Sequence, residues 1–148
     1  MGEMIMSEIT TIRSIEQERA QFAYKCVKDV VDKNKKFCRE YKSYVKKIPM
    51  LIKTNGLGST FAYVKSKKSG EAGKAYELIY EHTKNWLLQD NNPFNISASN
   101  DLVNHIISLD SQTYRLMTNE VLFFFKWIIR FADGLIEEES KNDGTGNN

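Results

Sequence analysis

The sequence predicts an all-α, compact single-domain bundle of about five to six helices, closed by a long C-terminal helix. Three observations carry that prediction. Apolar residues recur at three- and four-residue spacing along most of the chain. No segment sustains the apolar–polar alternation of a half-buried strand, and no fixed-period repeat is visible. Prolines number only two, Pro49 and Pro93, which leaves long helices uninterrupted. The chain has 148 residues, 41% hydrophobic and 27% charged, enough for one domain to bury a core without staples.

The first helix is expected to start at Ser14, because Ser14-Ile15-Glu16-Gln17 has the capping-box pattern. Ile15, Phe22, Ala23, Cys26, Val27, Val30 and Val31 then mark one buried face. A second helical segment carries Phe37, Tyr41, Tyr44, Val45 and Ile48. Pro49 should end or kink it, and also suits the first turn of a short helix over Pro49–Thr54. Asn55-Gly56 supplies residues that tolerate the left-handed backbone of a helix end. Phe61, Ala62 and Val64 predict another helix, finished before Ser69-Gly70.

Ala72–Leu88 reads as a long helix with Tyr76, Ile79, Tyr80, Thr83, Trp86 and Leu87 on one side. The Asn- and Ser-rich stretch Gln89–Asn100 predicts a loop, and Leu102–Leu109 a short helix. Asp110 is the expected N-cap of the last helix, Ser111 to about Glu138. On its wheel, Tyr114, Met117, Val121, Phe124, Phe125, Ile128, Ile129, Phe131, Ala132, Leu135 and Ile136 share a wide apolar arc. Lys126 and Arg130 break the apolar run, which excludes a membrane span. Phe123 and Trp127 project beside the arc. They belong either under a neighbouring helix or in a subunit interface, where exposed aromatics are enriched. The expected organisation is a flexible N-terminal extension over 1–13, a helical domain over 14–139 and a disordered tail over 140–148.

An enzyme should present an acid, base, nucleophile or metal set in a workable arrangement. His82 and His105 fall on different helices without companions and are expected as surface or half-buried residues rather than catalysts. Cys26 and Cys38 have no second pair for a metal site or disulfide framework. Asn55-Gly56-Leu57-Gly58 lacks the strand before and the Lys-Ser/Thr after that a phosphate-binding loop needs. The expectation is therefore no catalytic residues, no cofactor and no metal. The opening residues lack the apolar run of a secretory signal and Met6 breaks a myristoylation motif, so a cytoplasmic location is expected.

The net charge of +2 conceals an asymmetry. From Lys25 to Lys74 there are 14 Lys and Arg against 4 Asp and Glu, and the remainder of the chain is acidic. Such a split points to a polyanionic partner for the basic half. Arg39, Lys42 and Lys46 are spaced to line one side of a helix, followed by Lys47, Lys53, Lys65, Lys67 and Lys68. These eight residues are the candidate phosphate contacts, and Tyr41, Tyr44 and Tyr63 nearby could stack on bases. The competing reading is a solvated lysine-rich face.

The block Tyr41–Gly58, with Tyr41, Tyr44, Pro49 and Asn55-Gly56-Leu57-Gly58 in order, resembles the central signature of the small subunit of type III-B CRISPR effector complexes, the Cmr complexes. Ile15–Ala20 is similar to that family's N-terminal helix, and Tyr114-Arg115 with Trp127–Ala132 resemble its C-terminal helix. The resemblance implies a helical, non-catalytic subunit stacked in several copies along a groove where target RNA pairs with CRISPR RNA. Its implied partners are the backbone and large subunits, further copies of itself, CRISPR RNA and target RNA. Its implied role is antiviral defence. The alternative is a helical interaction scaffold without direct RNA contact.

Overall fold

The computed structural model describes residues 2–90, 92–94, 96 and 101–137, with side chains from Ile15 onward. Six α-helices and no strand occur among them: α1 (Gly2–Lys33), α2 (Cys38–Asn55), α3 (Leu57–Lys67), α4 (Lys74–Leu87), α5 (Leu102–Ile107) and α6 (Ser111–Leu135). A single 3-10 turn, Lys35–Phe37, joins α1 to α2. The long α6 packs along α1 and α2, while α3 and α4 close the other side of α2. The all-α expectation holds.

Three boundaries differ from the sequence reading, each for a physical reason. Helix α1 begins at Gly2, well before Ser14. No proline or glycine interrupts Glu3–Ser14, and a Ser-x-x-Gln pattern also fits a helix interior. Helix α2 runs unbroken through Pro49 to Asn55. An interior proline costs about 3 kcal/mol, but Ile48 and Ile52 on either side are buried, and their packing holds the helix together. Helix α6 stops at Leu135 because Ile136 turns extended (φ −103°, ψ 114°) and buries its side chain. The predicted tail, 140–148, and the side chains of the 1–13 extension lie outside the described residues, as does much of the 89–100 loop.

Helix ends are capped as elementary chemistry requires. Asp110 accepts from the Thr113 backbone N–H at 2.8 Å, the expected N-cap of α6. Asp101 plays the same part for α5, accepting from Val103 at 3.2 Å. The core runs from Ala23, Val27 and Val30 of α1 through Tyr41, Val45 and Ile48 of α2 to Met117, Val121, Phe124, Phe125 and Ile128 of α6. Phe124 lies at its centre, stacked on Trp86 with ring centroids 5.8 Å apart and flanked by Phe22 at 6.1 Å. Arg19 ties α1 to α6 outside that core, through paired bonds of 3.1 and 2.7 Å to Glu120.

Two polar aromatic residues, one a candidate for base stacking, lie inside the fold. Tyr41 is 1% exposed, so it cannot stack on a base. Its hydroxyl lies 2.8 Å from Nδ1 of His82, itself buried. The spacing Ile79, His82, Trp86 places this histidine on the buried face of α4.

Burial brings the His82 pKa down from 6.5 to about 4, with the nearby Asp29 opposing weakly. The unfolded chain thus takes up a proton below about pH 6.5 that the folded chain refuses until about pH 4. Stability must fall across that window as pH drops, by up to about 3 kcal/mol. Chemical denaturation at pH 7 and pH 4.5 should show the loss, and His82→Gln should remove the part due to this ring.

Candidate nucleic-acid interface

The elbow between α2 and α3 organises the basic surface. Gly56 ends α2 with φ at 89°, a backbone state that glycine adopts without a Cβ clash. Its carbonyl then accepts both the Thr60 N–H (3.1 Å) and the Thr60 hydroxyl (2.8 Å), starting α3. The Gly58 N–H donates to the Tyr114 hydroxyl of α6 at 2.9 Å. A Cβ on Gly58 would meet Ile107 at 3.2 Å. The Asn-Gly-Leu-Gly junction is thus a compact turn keyed to α6 by one tyrosine, and Leu57 between the glycines is buried.

The regular stripe of Arg39, Lys42 and Lys46 faces a protein surface for much of its length. Lys42 is 9% exposed and its ammonium donates to the Ile136 carbonyl at 3.0 Å. That contact satisfies a carbonyl just past the end of α6. Lys46 pairs with Asp133 of α6 at 2.9 Å. Arg39 is exposed on the first turn of α2, with a partner of its own. Helical spacing of basic residues therefore served the α2–α6 seam as well as any outer ligand.

Other cations in the basic half are also paired. Lys28 and Lys33 bridge Asp32 and Asp29 along α1, Lys36 bridges Glu71, and Lys74 bridges Glu77. Lys65 bridges Asp101, which also accepts from the Tyr80 hydroxyl at 2.6 Å. Those two donors, Lys65 first, hold the Asp101 carboxyl down to about 2. Exposed pairs contribute little stability, but each cancels a charge that a polyanion would otherwise meet.

What remains is smaller and better defined. Lys25, Lys35, Lys47, Lys53, Lys67 and Lys68 have no ion-pair partner among the described residues, and the last four lie along α2 and α3 or at the end of α3. Three of those four sit over tyrosine rings. The Lys47 ammonium is 5.6 Å from the Tyr44 centroid, Lys67 is 5.7 Å from Tyr63, and Lys68 is 4.3 Å from Tyr80. Tyr44 stacks on Tyr76 at 4.3 Å, and Tyr63 meets Tyr76 edge-on at 6.0 Å. This tyrosine cluster was not legible in the sequence, since Tyr76 comes from α4; only tertiary packing brings it to Tyr44 and Tyr63.

The aromatic pair lies on α6 beside α1. Phe123 is 52% exposed, with the Arg19 guanidinium 5.1 Å from its ring centroid. Trp127 is half-buried and stacks on Phe131 at 5.6 Å. Both line a shallow pocket with Glu16, Arg19, Lys126 and Arg130. Among the described residues no His, Cys, Asp or Glu group could hold a metal ion, and no helix is long and apolar enough to cross a membrane.

A family model described as CRISPR-associated protein (Cas_Cmr5) matches residues 15–135. The chain belongs to the Cas_Cmr5 family. Its fold is also similar to the crystal structure of a CRISPR-associated Cmr5 family protein from Thermus thermophilus. That likeness has a TM-score of 0.64 and 28% identity, covering 82% of this chain and 96% of the other. The resemblance read from Tyr41–Gly58 thus identified the family correctly: the chain is a small subunit of the Cmr type. In Cas_Cmr5 terms, the matched stretch takes in the elbow, the unpaired lysines and all of α6.

Proposed function

We propose that this Cas_Cmr5 protein is a non-catalytic subunit of a type III-B CRISPR complex in the cytoplasm, holding the guide–target RNA duplex by its phosphates. The observation that carries the reading is the group of cations along α2 and α3 without carboxylate partners among the described residues, Lys47, Lys53, Lys67 and Lys68, within a half-chain rich in paired ones. A paired duplex hides its base edges, so backbone contacts rather than base readout suit this task. Lys42, Lys46 and Lys65 support the surface indirectly by fixing α2 and α3 to their neighbours, and Arg39 stands exposed at the start of α2. Each copy offers few phosphate contacts, so useful affinity requires several copies side by side. The Phe123–Trp127 face is the proposed contact with neighbouring subunits, and defence against foreign RNA is the proposed role.

Photo-crosslinking of the guide–target duplex in the assembled complex tests the assignment. Crosslinked peptides from the 46–68 stretch are expected. Crosslinks confined to α6, or an assembled complex whose small subunit never crosslinks, would favour a scaffold without RNA contact.

A further inference from the structure

The three-tyrosine cluster opens onto a groove that a duplex does not need. It has a volume of about 780 Å³, and its lining includes Tyr44, Lys47, Met50, Asn55, Tyr63 and Tyr76, with no carboxylate. Met50 at 72% and Tyr63 at 44% exposure leave its rim open. An ammonium lies beside a lining tyrosine twice, Lys47 by Tyr44 and Lys67, outside the lining itself, by Tyr63, at nearly the same separation of 5.6 and 5.7 Å. A nucleotide has the matching anatomy, a flat π face joined to a phosphate. Bases inside a duplex are already stacked on each other and cannot enter. An acidic peptide would satisfy the lysines but gain no stacking from the tyrosines.

We infer that this groove between α2, α3 and α4 is a binding site for an unpaired RNA nucleotide, its base stacked on Tyr63 and its phosphates met by Lys47 and Lys67. The site rests on the RNA-binding reading above and adds a second class of ligand, single-stranded RNA. Stacking of this kind tolerates any base, because each has a π face. Asn55 at the groove wall supplies one amide that can meet a base edge.

The test uses the full chain in its assembled array at low ionic strength with two probes. One is a short unstructured oligo-adenylate RNA carrying a single 2-aminopurine, and the other is a blunt RNA duplex of equal length. Binding of the single strand should quench the 2-aminopurine fluorescence. Tyr63→Ala should lower single-strand affinity about tenfold and abolish the quenching, with duplex affinity unchanged. Tyr63→Phe should behave as wild type and show that the ring, not the fold, is responsible. Wild-type single-strand affinity and quenching in Tyr63→Ala would overturn the groove site, while persistent duplex binding would leave the phosphate reading intact. Tyr63-dependent single-strand binding without duplex binding would do the reverse. A Tyr63→Ala variant with unaltered RNA binding that no longer retains an acidic partner peptide would assign the groove to protein instead.

Discussion

Replacing Lys47, Lys53 and Lys67 together with glutamate is expected to lower affinity for the guide–target duplex on the order of a hundredfold at low salt. The three are exposed and lack ion-pair partners among the described residues, so the substitutions strand no buried charge. Helicity and melting temperature should therefore change little. The same reversal at Lys42 and Lys46 would give a different result. Lys42→Glu buries a carboxylate against the Ile136 carbonyl, and Lys46→Glu sets a carboxylate against Asp133. That pair of changes should cost stability first, and any loss of RNA binding would follow from it. Measuring melting temperature and duplex affinity on both variant sets separates the two effects.

Phe124→Ala is expected to be the most damaging single change described, destabilising the fold on the order of 4 kcal/mol. Its ring is fully buried and touches Trp86, Phe22 and Phe125. It therefore links α1, α4 and α6, and truncation leaves a cavity none of them can fill alone. In a chain of this size the loss lowers the melting temperature by roughly 10 °C. Phe123→Ala, one position away and exposed, should stay within about 1 kcal/mol. It removes the contact with Arg19, and Arg19 keeps its paired bonds to Glu120. Thermal melts of the two variants check the contrast, and equal shifts would contradict this picture of α6.

The contrast between adjacent phenylalanines also shows what the sequence could reveal. Periodicity located the helices and the buried arc of α6, because one-sided burial repeats every three to four residues. Asp110 was legible as a cap, because capping is local chemistry. Pro49 does not end α2, because the packing of Ile48 and Ile52 outweighs a local penalty. His82 lies deeper than expected and Tyr41 is closed to base stacking for a related reason. Their polar atoms satisfy each other across two helices, and no sequence window contains both.

The basic half shows the same limit in electrostatic form. Charge density was legible, and so was the likeness of Tyr41–Gly58 to a known signature. Which lysines were already paired was not, since Lys46 finds Asp133 and Lys65 finds Asp101 far along the chain. Those long-range partners reduce a run of cations to a few without carboxylate partners. They also turn the regular stripe on α2 into a seam with α6. The tyrosine cluster emerges only when α4 carries Tyr76 beside Tyr44.

The salt dependence of duplex binding by the assembled array tests the central claim most directly. Each phosphate neutralised by a lysine adds a roughly constant increment to the slope of log affinity against log salt. If Lys47, Lys53 and Lys67 contact phosphates, the variant carrying glutamate at all three must show a slope shallower than wild type. A variant with wild-type slope and affinity would contradict the account and leave these lysines as solvated surface.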